Sequence, residues 1–185
     1  MTRFGAGRAG TFKMMLRALL GTAAMLVVLA PARVGIATVG ARPPDFTLRG
    51  AAGAPWKGTF KLSEYLGKRP VVITFTATWC APCELEMMAL EKERARLESR
   101  GLVVVAIAID DASTAPQVGA MARRLKVQFP VVTDVDSSVT ARINPRRTCP
   151  FMISVDRSGK IVRESEGWTA EHMKNLPKDL ESLVN

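Results

Sequence analysis

The chain has 185 residues, 48% of them apolar, enough for one domain with a substantial core and too few for two ordinary ones. Its formal charge of +9 falls to +5 once Arg3, Arg8, Lys13 and Arg17, all within an acid-free opening stretch, are set aside. The remaining basic residues, Arg123-Arg124 and Arg146-Arg147 among them, are not interleaved with aromatics for base stacking, so they read as solvated faces and no nucleic-acid partner is expected.

Residues 1–32 have the makeup of an export signal: a basic start, an uncharged run from Ala18 to Ala32, and Ala30-Pro31-Ala32 as a small-residue cleavage site. As a helix that run would reach only about 23 Å, short of the roughly 30 Å hydrocarbon core, so a cleaved signal is favoured over a retained membrane anchor. Export implies a compartment where disulfides persist, and three cysteines are too few for a disulfide framework. Residues 33–42 are expected to be a linker and residues 43–185 the folded domain.

The segments "DFTLRG" and "GTFKL" predict an N-terminal β-hairpin, followed by a one-turn helix at Ser63 and a breaker from Gly67 to Pro70. Val71 to Ala77 is β-branched and nearly all apolar, the signature of a strand buried on both faces. Good helix formers then run from Ala81 to Ser99, and Gly101 stands where a C-terminal cap belongs. Leu102 to Ile109 repeats the buried-strand pattern, so the three elements make a right-handed βαβ unit with parallel strands. A second helix is expected over Pro116 to Leu125, then a short strand in "FPVVTD". Phe151–Val155 and Ile161–Trp168 flank the turn Asp156-Arg157-Ser158-Gly159 and should pair antiparallel. A closing helix runs from Thr169 to Leu183, and Pro177 should kink or split it. The fold class is α/β, with a mixed central sheet flanked by helices.

In "TWCAPCELE", Cys80 falls at the junction of a buried strand and a helix, where unpaired N–H groups and the helix dipole stabilise a thiolate. Cys83, one turn further in, is expected to be more enclosed, so the two sulfurs can bridge while Cys80 alone is open to attack. Such asymmetry suits a redox dithiol: Cys80 attacks a disulfide and Cys83 resolves the mixed disulfide. Pro82 fits the first helical turn and stiffens the loop between the sulfurs. A static staple closing so short a loop would stabilise little. A zinc site needs two more ligands, and the chain offers only Cys149 and His172, the latter expected to be a solvated helix residue.

The chain resembles the thioredoxin superfamily, and within it the exported TlpA/ResA-type thiol-disulfide oxidoreductases, on "PPDFTL" (43–48), "TWCAPCELEMMAL" (78–90), "FPVVTD" (129–134) and "CPFMISVDRSGKIV" (149–162). The resemblance implies a thioredoxin fold with an N-terminal β extension, a cis peptide before Pro150 packed against Cys80 and Cys83, and positioning or substrate-contact roles for Trp79, Pro82, Cys149 and Pro150. It implies reduction of protein disulfides in the periplasm by a monomer, which a membrane thiol donor keeps reduced, in tasks such as cytochrome c maturation or oxidase assembly. No cofactor beyond the Cys80–Cys83 disulfide is expected, and no resident metal. Glu86, three residues after Cys83, shares its helix face and would tune the thiols and accept a proton from Cys83; the bland alternative is a solvated glutamate like Glu91, Glu93 or Glu98.

Three departures from the family pattern stand out. Thr74 replaces the buried aspartate of ordinary thioredoxins, Met88 stands where relatives often have a helix-kinking proline, and Cys149 immediately precedes Pro150. Cys149 reads either as a small buried hydrophobe or as a third sulfur for an alternative disulfide or a soft metal. In oxidised protein, Cys80 should be bonded to Cys83 with Cys149 free. Two competing functions follow: a copper-binding assembly factor using Cys80, Cys83 and Cys149, against which the shortage of histidine counts, and a thiol peroxidase. The peroxidase pattern needs Pro and Thr where this chain has Ile73 and Ala77.

Overall fold

The computed structural model describes residues 38–185. The expected export signal, and the linker up to residue 37, lie outside the described residues. Among these, no helix is long and apolar enough to cross a membrane.

A five-stranded mixed sheet in the order β5-β4-β3-β6-β7 forms the centre, comprising β3 (Val71–Thr76), β4 (Val103–Ala108), β5 (Val131–Thr133), β6 (Phe151–Val155) and β7 (Ile161–Glu166). Every residue of β3, β4 and β6 is buried, which is why their sequences lack the polar alternation of a one-sided strand. β3 and β4 run parallel, joined by α1 (Ala81–Leu97), and β6 lies antiparallel to β3 with Phe75 opposite Phe151. β6 and β7 form the antiparallel pair expected from the Asp156–Gly159 turn.

Alternation along β3 divides the core in two. Val72 joins Met87 and Leu90 of α1, Val118 and Met121 of α2 (Ala115–Arg124) and Leu176 and Leu180 of α4 (Ala170–Val184). Val71, Ile73 and Phe75 pack on the opposite face against Phe46, Phe60 and Leu62, with Val139 and Ile143 beside them. The expected N-terminal hairpin is present as β1 (Thr47–Arg49) and β2 (Thr59–Lys61), followed by a 3-10 turn at Leu62–Glu64. Stacked rings of Phe46, Phe60 and Tyr65 tie it to the 3-10 turn, with centroids 5.9 and 5.1 Å apart.

The N-terminal segment also reaches both margins of the sheet. Ala51 N–H donates to Val131 O at 2.8 Å, and Gly50 bridges Val132 on β5. At the opposite margin, Gly40 N–H donates to Ile161 O and Ile161 N–H to Ala41 O, at 2.8 and 2.9 Å.

Two expectations need correction. α1 ends at Leu97 and tightens into a 3-10 turn over Glu98–Arg100 before Gly101, whose φ of 90° makes the left-handed cap. Pro177 does not split the closing helix, which is assigned without a break from Ala170 to Val184. The carbonyl it leaves without an intrahelical donor belongs to Met173, which is 51% exposed, so water can take the place of the lost bond.

One element was not foreseen, the four-residue α3 (Thr140–Ile143). The buried Asp134 carboxylate accepts from the backbone N–H of Val139 and Thr140 and from the Thr140 hydroxyl, tying down the start of the turn.

Candidate active site

The site forms at the carboxyl ends of the parallel strands β3 and β4, the usual place for function in an open α/β sheet. Ile109 N–H donates to Thr76 O at 2.9 Å, so the two strands leave the sheet together. Just beyond, the backbone N–H and hydroxyl of Thr78 both donate to Asp110, a carboxylate only 1% exposed. That clamp fixes the lead into the cysteine motif. Thr78 also lines a cleft of about 480 Å³ with Pro116, Gln117, Ala120, Met121 and Arg124 of α2.

Cys80 is the N-cap of α1, with extended backbone (φ −100°, ψ 91°), and Pro82 is the second helical residue. Cys80 N–H donates to Ala77 O and Cys83 N–H to Cys80 O, both at 3.1 Å. This tight turn brings the Cα atoms to 5.3 Å, and the sulfurs are bridged at 2.01 Å. Cys149 is free, as expected, and its peptide bond to the buried Pro150 is cis. The sulfurs of Cys80, Cys83 and Cys149 all lie within 4.8 Å of one another.

Exposure follows the expected order but not the expected degree. Cys83 is fully buried, and Cys80, expected to be open, retains only 5% of its surface. The reason is apolar packing: Cys80 shares a cluster with Ala77, Ile109 and the half-buried Cys149. The open position belongs to the neighbouring Trp79, 64% exposed.

Glu86 is 1% exposed and faces β3, not solvent. Its Oε2 accepts a 2.6 Å hydrogen bond from the Thr74 hydroxyl, while Oε1 is buried without a partner. Burial pushes its pKa up from 4.5 to about 7, and the Thr74 hydrogen bond opposes part of that rise. Thr74, standing where ordinary thioredoxins carry an acid, therefore serves as the acid's donor. The Cys149 thiol is pushed up to about 11, first by burial and then by the negative charges of Asp110 and Glu86. Met88 is 44% exposed on the outer side of α1.

Sequence reasoning missed Asp110 and Asn144. Asn144 is 2% exposed; its Nδ2 donates to Thr148 O at 2.7 Å and its Oδ1 accepts from Thr148 N–H at 3.3 Å, bracing the loop that presents Cys149. Neither contact has a signature at fixed spacing, although an acid directly after a buried strand was a usable hint for Asp110. His172, expected to be solvated, is half-buried: its ring nitrogens lie 3.1 Å from Gly167 O and 3.3 Å from Ser165 Oγ, and Trp168 packs edge-on at 4.9 Å. Glu93 is likewise buried and pairs with Arg96 at 2.8 Å. Ile73 and Ala77, at the positions a peroxidase would fill with Pro and Thr, are both fully buried apolar residues.

The AhpC/TSA family profile matches residues 39–178. The chain is 28% identical over 177 residues to the thiol-disulfide oxidoreductase ResA of Geobacillus kaustophilus, covering 90% of this chain and 96% of that protein. Against ResA of Oceanobacillus iheyensis the identity is 32% over 150 residues, covering 80% and 75% of the two chains. Among solved structures, a putative protein disulfide isomerase from Bacteroides thetaiotaomicron superposes with a TM-score of 0.70 at 26% identity, over 80% of this chain and 91% of that one. A putative thiol:disulfide interchange protein DsbE from Chlorobium tepidum gives 0.69 at 23% identity, over 80% and 99%, a likeness of fold. The mixed sheet, its flanking helices and the cysteine motif accord with these relatives: this chain belongs to the thioredoxin-like AhpC/TSA family and is a thiol-disulfide oxidoreductase.

Proposed function

We propose that the protein is exported to the periplasm and there reduces disulfides of other proteins, in cytochrome c maturation or oxidase assembly. The observation that carries this reading is the Cys80–Cys83 pair at the start of α1 with a buried, half-paired Glu86 one turn beyond. In reduced protein, the Cys80 thiolate attacks one sulfur of a substrate disulfide. The other substrate sulfur leaves as a thiolate and takes up a proton. Cys83 gives its proton to the Glu86 carboxylate and attacks the Cys80 sulfur, which releases the second substrate thiolate and leaves the Cys80–Cys83 disulfide. A membrane thiol donor returns two electrons and the protons follow. Trp79 offers the exposed apolar contact beside the pair, and Cys149, next to Pro150, packs against the pair from a distant part of the sequence.

The acid-free opening stretch supports residues 1–32 as the export signal and residues 43–185 as the working domain of a monomer, with Gly40 and Ala41 of the intervening segment 33–42 bonded to Ile161 at the sheet margin. The test is trapping at native expression. Cys83→Ser should accumulate Cys80-linked complexes whose partners name the pathway, and an absence of adducts above background would overturn the assignment of protein substrates. Insulin reduction in the presence of dithiothreitol should be lost in Cys80→Ser.

A further inference from the structure

We propose that the reduced protein holds a soft monovalent cation of the Cu(I) class between the sulfurs of Cys80, Cys83 and Cys149. Disulfide exchange uses two of these thiols; this site needs the third. Even with Cys80 and Cys83 bridged, all three sulfurs lie within 4.8 Å of one another. An ion bound in a trigonal plane at about 2.3 Å from each sulfur, the length of a zinc–thiolate bond, needs sulfurs about 4.0 Å apart. Reduction breaks the 2.01 Å bond and lets Cys80 and Cys83 part towards that spacing, while side-chain rotation brings Cys149 in.

The donor set selects the class of ion. Thiolates favour Cu(I) and zinc, but zinc closes its shell with a fourth ligand. Among the described residues no histidine or carboxylate joins the cluster. The nearest acids stay outside it, Asp110 held by Thr78 and Glu86 by Thr74 through Oε2 alone, and both ring nitrogens of His172 face other groups. Three sulfurs and nothing else suit an ion content with three soft ligands. The fully buried Cys83 and the nearly buried Cys80 shield it from water, and the half-buried Cys149 leaves a way in. The positive end of α1 at Cys80 offsets part of the negative charge of three thiolates.

Loading replaces each S–H bond with a sulfur–metal bond and sends the proton to solvent; no electrons move. The disulfide form lacks two of the three thiolates, so metal loading and the oxidised state exclude one another. The test titrates reduced full-length protein, without oxygen, with Cu(I) held by bicinchoninate. Wild type should withdraw one equivalent, oxidised protein none, and Cys149→Ser should hold the ion at least tenfold more weakly. X-ray absorption on loaded wild type should count three sulfur neighbours, a readout that needs no variant. Equal affinity in wild type and Cys149→Ser, two sulfurs in the wild-type shell, or no withdrawal by wild type would each overturn the site. Insulin reduction by metal-free wild type is read separately, so a failed copper site leaves the exchange reaction standing.

Discussion

Replacing Glu86 with Gln tests the buried acid directly, because the amide keeps the shape and the acceptor for Thr74 but cannot ionise. Burial raises the Glu86 pKa from 4.5 to about 7 in the folded protein. At about 1.36 kcal/mol per pH unit, ionising the buried carboxyl costs folding roughly 3 kcal/mol. The sign follows from proton counting. Below 4.5 the folded and unfolded chains both hold the proton; between 4.5 and 7 the unfolded chain releases it first, so stability falls as pH rises; above 7 the loss is complete. Glu86→Gln removes this slope. Urea unfolding of the oxidised forms, with the disulfide intact in both, should give stability curves that diverge by about 3 kcal/mol in favour of the variant between pH 4.5 and 8. Any constant cost of the unpaired amide shifts the whole difference curve without changing its shape. Parallel curves over that range would refute the reasoning and return Glu86 to ordinary titration.

Two further outcomes follow from named contacts. Cys149 in oxidised protein should alkylate about a hundredfold more slowly at pH 8 than a thiol of ordinary pKa, because its own is pushed up to about 11, and its rate should climb about tenfold per pH unit to pH 10; peptide mapping after iodoacetamide checks this, and a plateau near pH 8 would contradict it. Gly119→Ala, in the middle of α2, should destabilise by about 1–3 kcal/mol or more in urea unfolding, although helix propensity alone would give a gain of about 1 kcal/mol. The added Cβ would stand 1.9 Å from the backbone oxygen of Ala52; a variant as stable as wild type would mean that the loop at Ala51–Ala54 does not rest on this helix.

How much of this was legible beforehand depends on the range of the signal. β3 and β4 announced themselves because burial on both faces leaves unbroken apolar runs, and the cysteine pair sits where strand meets helix by local rules alone. Glu86 was legible as sharing a face with Cys83. That this face meets Thr74, twelve positions earlier, depends on how α1 crosses β3, which spacing within the helix does not reveal. The same holds for Asp110 with Thr78, 32 positions apart. Exposure of Cys80 was misjudged because a helix N-terminus is open by default, and the packing of the Cys149-Pro150 loop, brought in from far along the chain, decides otherwise. α3 escaped because four residues carry no period; its sign was the acid-and-serine run from Asp134 to Ser138.

The embrace of the sheet by its own leading segment bears on how safely the molecule keeps company with other copies of itself. A naked border strand is a template onto which a stranger can be zipped. Here the outer line of β5 is met by Gly50 and Ala51, and the start of β7 by Gly40 and Ala41. What is left of the β7 border carries Arg163, Glu164 and Glu166, all exposed, beside the exposed Val162; a flat apolar intruder would have to strip those charges of water. Loss of residues 38–51 would therefore threaten more than stability: it would unseal both flanks and invite fibrous growth.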